Sequence, residues 1–188
     1  MILRYPNFNL RSRSEAVSIF NQELESIEEI MRKTMLKERG IGLAAPQIDI
    51  HIRLAIFDPL VVVTLDGRPV PAMVNPMIRH RSPDMVTGQE GCLSFPELFI
   101  NIRRPSRIEV QWQDLQGVIE SGEFTGLAAR CIQHEIDHLD GVLMIDKVPG
   151  ALRGPALAKY KNLRERRERA ERDAVKGASA VVRKSPTR

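Results

Sequence analysis

The stretch "CIQHEIDHLDG" at 131–141 does most to limit what this chain can fold into. Ala128, Ala129, Cys131 and Ile132 give this segment an apolar helical character that demands burial, yet it also carries His134, Glu135 and His138. Two histidines four apart lie about one helical turn apart and share a face. Imidazoles and a carboxylate in a buried helix are costly unless something uses them. His-Glu-x-x-His is a pattern that grips a metal ion and sets the glutamate beside it as a base. A catalytic centre of that kind takes three protein ligands and keeps one position open. A metal reading therefore requires a third ligand; two core histidines hydrogen-bonded to backbone, with Glu135 solvated, are the alternative.

Candidates for that ligand are His51, His80, Cys92, Cys131 and several carboxylates. Cys131 precedes His134 by three residues, so it is expected to pack beneath the site as a small apolar residue. Cys92 lies in "TGQEGCLSFPEL", where Gly88, Gly91, Ser94 and Pro96 suggest irregular backbone approaching something closely. A Gly-Cys-Leu-Ser run can present a thiolate and a backbone N–H to one centre, although a buried free thiol remains the plainer alternative. Asp137 or Asp140 is expected to accept the outer N–H of a ligating imidazole.

Elsewhere, Phe20, Leu24, Ile27, Met31 and Met35 repeat at helical steps, predicting a helix over about 15–38 with Gly40 as its C-terminal cap. "IRLAIF" and "PAMVNP" read as strands, and "PLVVVTL" as one arm of a hairpin turning at Asp66-Gly67. "RIEVQWQDLQGVIESGEF" reads as a second hairpin turning near Gln116-Gly117. Thr125 is placed to cap the motif helix, over about 126–139, and Gly141 to end it. The expected fold is α+β: an N-terminal helix, antiparallel sheets packed around a central His-Glu-x-x-His helix, and a charged C-terminal helix. The domain reading is a catalytic body over 1–150, a basic helix over 151–176 and a disordered tail over 177–188.

Charge is unevenly distributed. Residues 159–188 hold 11 Lys/Arg against 4 Asp/Glu, so a basic tail follows a mildly acidic body. Such a tail either meets a polyanion or is a solubilising helix with i,i+4 pairs such as Glu165 with Arg169. No apolar run approaches the ~20 residues that cross a bilayer, so no membrane role is expected. "MILRYPNFNL" lacks the features of an export signal, and two cysteines do not make a disulfide scaffold. The expected location is cytoplasmic.

Three segments, "GIGLAAPQ" (40–47), "EGCLSFP" (90–96) and "QHEIDHLDG" (133–141), occur in the order and spacing of the signature motifs of peptide deformylases. The sequence thus resembles that family in its bacterial, iron-dependent type over about residues 5–147. The resemblance implies metal-dependent hydrolysis of the N-formyl group from the initiator methionine of nascent polypeptides, releasing formate. It implies Cys92 as the third ligand with His134 and His138, around Fe(II), with Ni(II), Co(II) or Zn(II) as substitutes. Glu135 is implied as the proton-transfer group, and the Gln47 side-chain amide and Leu93 backbone N–H as oxyanion donors. Gly40 and Gly42 would let an extended formylmethionyl peptide approach closely. Ile41, Leu127 and Ile132 are expected around its methionine side chain, although plain core packing would also explain them. Phe99 stands where some members carry a peptide-contacting arginine. Glu90 and Arg104 match an acidic and a basic position that pair to hold the Cys segment. The basic C-terminal helix is implied to contact the ribosome, without sequence-specific nucleic-acid recognition. Two other readings remain open on the residues: a zinc endopeptidase, and a silent ribosome-binding module with a structural metal.

Overall fold

The computed structural model describes the backbone of residues 1–182 and the side chains of residues 1–174. Its elements in chain order are α1 (Gln22–Lys37), β1 (Gly42–Ala44), β2 (Leu54–Phe57), β3 (Ala72–Arg81), β4 (Met85–Cys92), β5 (Phe95–Pro105), β6 (Arg107–Gln113), β7 (Ile119–Thr125), α2 (Gly126–Leu139) and α3 (Gly150–Val182). Five strands form one antiparallel sheet in the order β1-β2-β3-β6-β7, and β4 with β5 forms a separate hairpin. The α+β expectation holds.

Strand β2 explains the layering. Its alternate residues point to opposite faces, and all four are buried. Ala55 and Phe57 join Met73, Val110, Phe124 and, from α2, Ile132 and Ile136 in one core. Leu54 and Ile56 join Met31 and Met35 of α1 in another. The main sheet is thus covered on both sides, with α2 lodged between it and the hairpin. A third core, including Phe95, Leu98, Ile102, Met144 and Tyr160, seats α3 on the hairpin.

Several boundaries differ from the sequence reading. Helix α1 starts at Gln22 rather than near 15, because the Asn21 side chain accepts hydrogen bonds from the N–H groups of Glu23 (3.1 Å) and Leu24 (3.2 Å). The left-handed residue after α1 is Arg39 (φ 58°), not Gly40. Gly40 is needed for another reason: a Cβ there would stand 2.8 Å from Leu93 Cδ1. The hairpin expected around Asp66-Gly67 shrinks to a single bridge between Val63 and Pro69; Pro69 and Pro71 lack the N–H groups a ladder requires. Thr125 occupies the N-cap of α2 but makes no side-chain capping bond.

Helix α3 begins at Gly150 and continues to Val182, past the expected end at 176, while 183–188 lie outside the described residues. Glu165 meets Lys161 (4.0 Å) rather than the expected Arg169. The largest omission is the β4–β5 hairpin, whose glycines read as loop. They are strand positions over which side chains lie: a Cβ on Gly91 would meet the Phe99 ring at 2.7 Å, and one on Gly88 would meet Arg130 Nη2 at 2.8 Å. No helix among the described residues is long and apolar enough to cross a membrane.

Candidate active site

Helix α2 brings His134 to Glu90 of the β4–β5 hairpin and His138 to Cys92, while Glu135 lies against Gly42 of β1. Cys92 ends β4, and Leu93 with Ser94 makes the two-residue turn that leads to its ladder partner Phe95. One donor atom each from Cys92, His134 and His138 lies within 4.8 Å of the others. Cys92 Sγ is 3.2 Å from His138 Nε2. A sulfur and two imidazole nitrogens this close and mostly buried suit a tetrahedral cation with its fourth position open. Burial, with the charges of His134 and Arg104, pushes His138 well below its ordinary pKa, so its ring stays neutral as a ligand must be. His134 is pushed up: burial opposes this, but contacts with Cys92 and Glu90 prevail. The donor set therefore fits a metal. Among the candidates weighed against Cys92, Cys131 is buried and its sulfur faces the Ile41 carbonyl at 3.8 Å. His51 and His80 are not part of the cluster found among the described residues.

Glu135 is buried, and its Oε2 has no hydrogen-bond partner among the described residues. Burial pushes its carboxyl up to about 7; the charge of Glu90 adds to this and that of His134 opposes it. A Cβ on Gly42 would lie 2.6 Å from Glu135 Oε1 and 2.8 Å from Cys131 Sγ, so β1 passes directly against the carboxylate.

Gln47 sits in the 3-10 turn Ala45–Ile48 and is 2% exposed. Its Oε1 accepts from the Ala44 N–H (2.9 Å), which leaves Nε2 facing Ser94 Oγ (3.2 Å) and Cys92 Sγ (3.6 Å). Ser94, quoted in the Cys motif but given no role from sequence, is fully buried.

The support of His134 differs from the sequence expectation. Neither Asp137 nor Asp140 accepts from an imidazole; they pair with Arg104 (2.7 Å) and Arg53 (2.7 Å). Glu90 Oε2 instead lies 3.0 Å from His134 Nδ1. Arg104 grips Glu90 through two bonds of 2.6 and 2.8 Å. Burial alone would raise the Glu90 carboxyl, but hydrogen bonds from Arg104 and His134 outweigh it and hold it at about 2. Arg130, which the sequence reading passed over, adds a third arginine bond to Glu90 at 2.8 Å.

A cavity of about 450 Å³ opens onto this centre. Gly40, Ile41, Gly42, Gln47, Leu93, Phe99, Leu127 and Glu135 all line it. Ile132 does not: it is fully buried in the sheet core. At about 100° per residue, Ile132 lies roughly 140° around the helix from Leu127, which turns it away from the cavity. Arg130 and Cys131 face the cavity in its place.

Comparison with known proteins agrees with this geometry. Residues 1–153 match the family described as Polypeptide deformylase. Peptide deformylase 2 of Gloeobacter violaceus is 44% identical over 143 residues, covering 74% of this chain and 73% of that protein. The crystal structure of the Thermotoga maritima peptide deformylase is similar with a TM-score of 0.72 and 41% identity, over 79% of this chain and 97% of that one. Arabidopsis thaliana peptide deformylase 1B, in complex with an inhibitor, gives a TM-score of 0.78 at 32% identity, over 90% and 92%. The chain belongs to the polypeptide deformylase family of metal-dependent enzymes, whose known function is to deformylate nascent peptides.

Proposed function

We propose that this chain hydrolyses the N-formyl group from the initiator methionine of nascent polypeptides, releasing formate, with one divalent metal held by Cys92, His134 and His138. Fe(II) is the proposed native ion; Ni(II), Co(II) and Zn(II) suit the same donors. The observation that carries the reading is Glu135, a buried carboxylate with one unpartnered oxygen, beside the triad and lining the cavity. When bound, the ion supplies Lewis-acid chemistry, lowering the pKa of a water in its open position toward neutrality.

Glu135 would take up a proton from the attacking water and deliver it to the departing amine as the formyl C–N bond breaks and formate leaves. The oxyanion that develops on the former carbonyl oxygen is met by the Gln47 amide and the Leu93 N–H. Ala44 N–H fixes the sense of the amide, so its NH2 group faces the reacting centre. Gly40 and Gly42 let the peptide backbone approach, and Ile41, Leu127 and Phe99 supply apolar contact at the cavity rim. The body over 1–150 performs the chemistry in the cytoplasm. The basic face of α3 carries the enzyme to ribosomal RNA, where its substrates emerge.

Replacing Glu135 with Gln tests the assignment. E135Q is expected to retain its metal and lose formate release by at least ~10²-fold. Turnover at the wild-type rate with metal bound would contradict the proton-transfer role.

A further inference from the structure

The three donors of the centre come from two elements, the β4–β5 hairpin and α2, so the site is only as well formed as the joint between them. That joint is polar. His134 reaches Glu90, Arg104 reaches Asp137 at 2.7 Å, and Gln133 Nε2 donates to the Pro105 carbonyl at 3.2 Å. Arg130 makes more of these connections than any other side chain named here. From α2 its Nη1 donates to Glu90 Oε1 (2.8 Å), the Ile102 carbonyl (2.9 Å) and the Gly88 carbonyl (3.4 Å), and its Nη2 to the Val86 carbonyl (2.8 Å). It therefore ties α2 to both strands of the hairpin and to the carboxylate that meets His134.

Two further observations separate Arg130 from an ordinary surface cation. Gly88 leaves the space its guanidinium occupies, since a Cβ there would stand 2.8 Å from Nη2 and 2.9 Å from Cζ. The two arginines also hold Glu90 differently. Arg104 is 4% exposed and is not among the cavity-lining residues, whereas Arg130 lines the cavity between Leu127 and His134. The guanidinium fork has the donors to fix two strands and a carboxylate together, which an ammonium cannot reproduce.

We propose that Arg130 is a positioning residue for the Cys92/His134/His138 centre, fixing the hairpin that carries Cys92 against the helix that carries the two histidines and holding Glu90 against His134 from the cavity side. This rests on reading those three residues as a metal triad. Groups that orient a ligating histidine commonly change metal affinity by 10–100-fold when removed.

The test uses the full-length chain, stripped of metal and titrated with Co(II), following the sulfur-to-cobalt charge-transfer absorption and measuring affinity by chelator competition. Wild-type binding with that absorption tests the triad by itself. R130M, which keeps much of the stem and loses the fork, is expected to weaken Co(II) binding by about tenfold or more. R130K is expected to recover only part of that loss. G88A, which crowds the guanidinium without touching a ligand, should shift affinity in the same direction and add little in an R130M background. Formate release should fall in kcat, with KM for a formyl-Met peptide little changed. R130M with wild-type Co(II) affinity and spectrum would overturn the proposal. So would a loss confined to KM, because Arg130 would then be only a wall of the cavity. If R130M does not fold, G88A and R130K decide by the same affinity ratios.

Discussion

Glu90 is a single carboxylate on which two arginines and an imidazole converge, and its ionisation reports that arrangement. It is held at about 2 against an ordinary value of 4.5. Its folded pKa lies below its unfolded one, so the stabilisation is fully present above about pH 4.5 and is lost as pH falls toward 2. The linkage amounts to on the order of 3 kcal/mol. Denaturant titration of the metal-stripped chain should show stability dropping by that order between pH 5 and 2; a change well under 1 kcal/mol would mean Glu90 is not clamped as an anion. The residues with the most distinctive chemistry were legible in the sequence because helix spacing and the order of three short motifs fix them. Ile132 was misplaced where a count of helical phase from Leu127 would have turned it to the core. Arg130 and Ser94 were missed because their importance lies in partners far along the chain, which one sequence does not display.

At the scale of elements, β1 and the β4–β5 hairpin shape the site that α2 offers. Strand β1 runs so close to Glu135 that Gly42 cannot gain a methyl group without moving a buried carboxylate or thiol. G42A is therefore expected to keep its metal while losing on the order of 10²-fold in kcat/KM, since sub-ångström displacement of a reacting group is costly. Unchanged kinetics would show that Glu135 has room to adjust. Elements that obey a period, α2 and the β6–β7 hairpin above all, were readable from the sequence. The β4–β5 hairpin was not, because Gly88 and Gly91 serve side chains lying over the strand and so carry no apolar alternation. Asn21 was likewise overlooked as a cap, and the start of α1 was drawn too early.

For the molecule as a whole, the charged helix α3 has two parts with different duties. Its first turns belong to the body: Tyr160 is 2% exposed, packs against Phe95 at 5.1 Å between ring centroids, and its hydroxyl donates to the Tyr5 carbonyl at 3.2 Å. The later turns carry exposed basic residues such as Arg166, Arg169 and Arg172. Deleting 165–188 should therefore spare thermal stability yet weaken salt-sensitive co-sedimentation with ribosomes. Deleting 159–188 should also destabilise the body by about 3 kcal/mol through loss of Tyr160. Ribosome association that ignores both salt and the shorter deletion would contradict the proposed role of α3. The sequence showed the basic bias of this helix, but not where its anchored part ends, because a lone tyrosine in a charged stretch does not announce its burial.

The measurement that bears most directly on the proposed activity is formate release from formyl-Met-Ala-Ser by protein purified anaerobically with Fe(II), beside a metal-stripped control. Metal-dependent formate, with no internal cleavage of the peptide, is the predicted result. Intact, metal-loaded protein that releases no formate would contradict it.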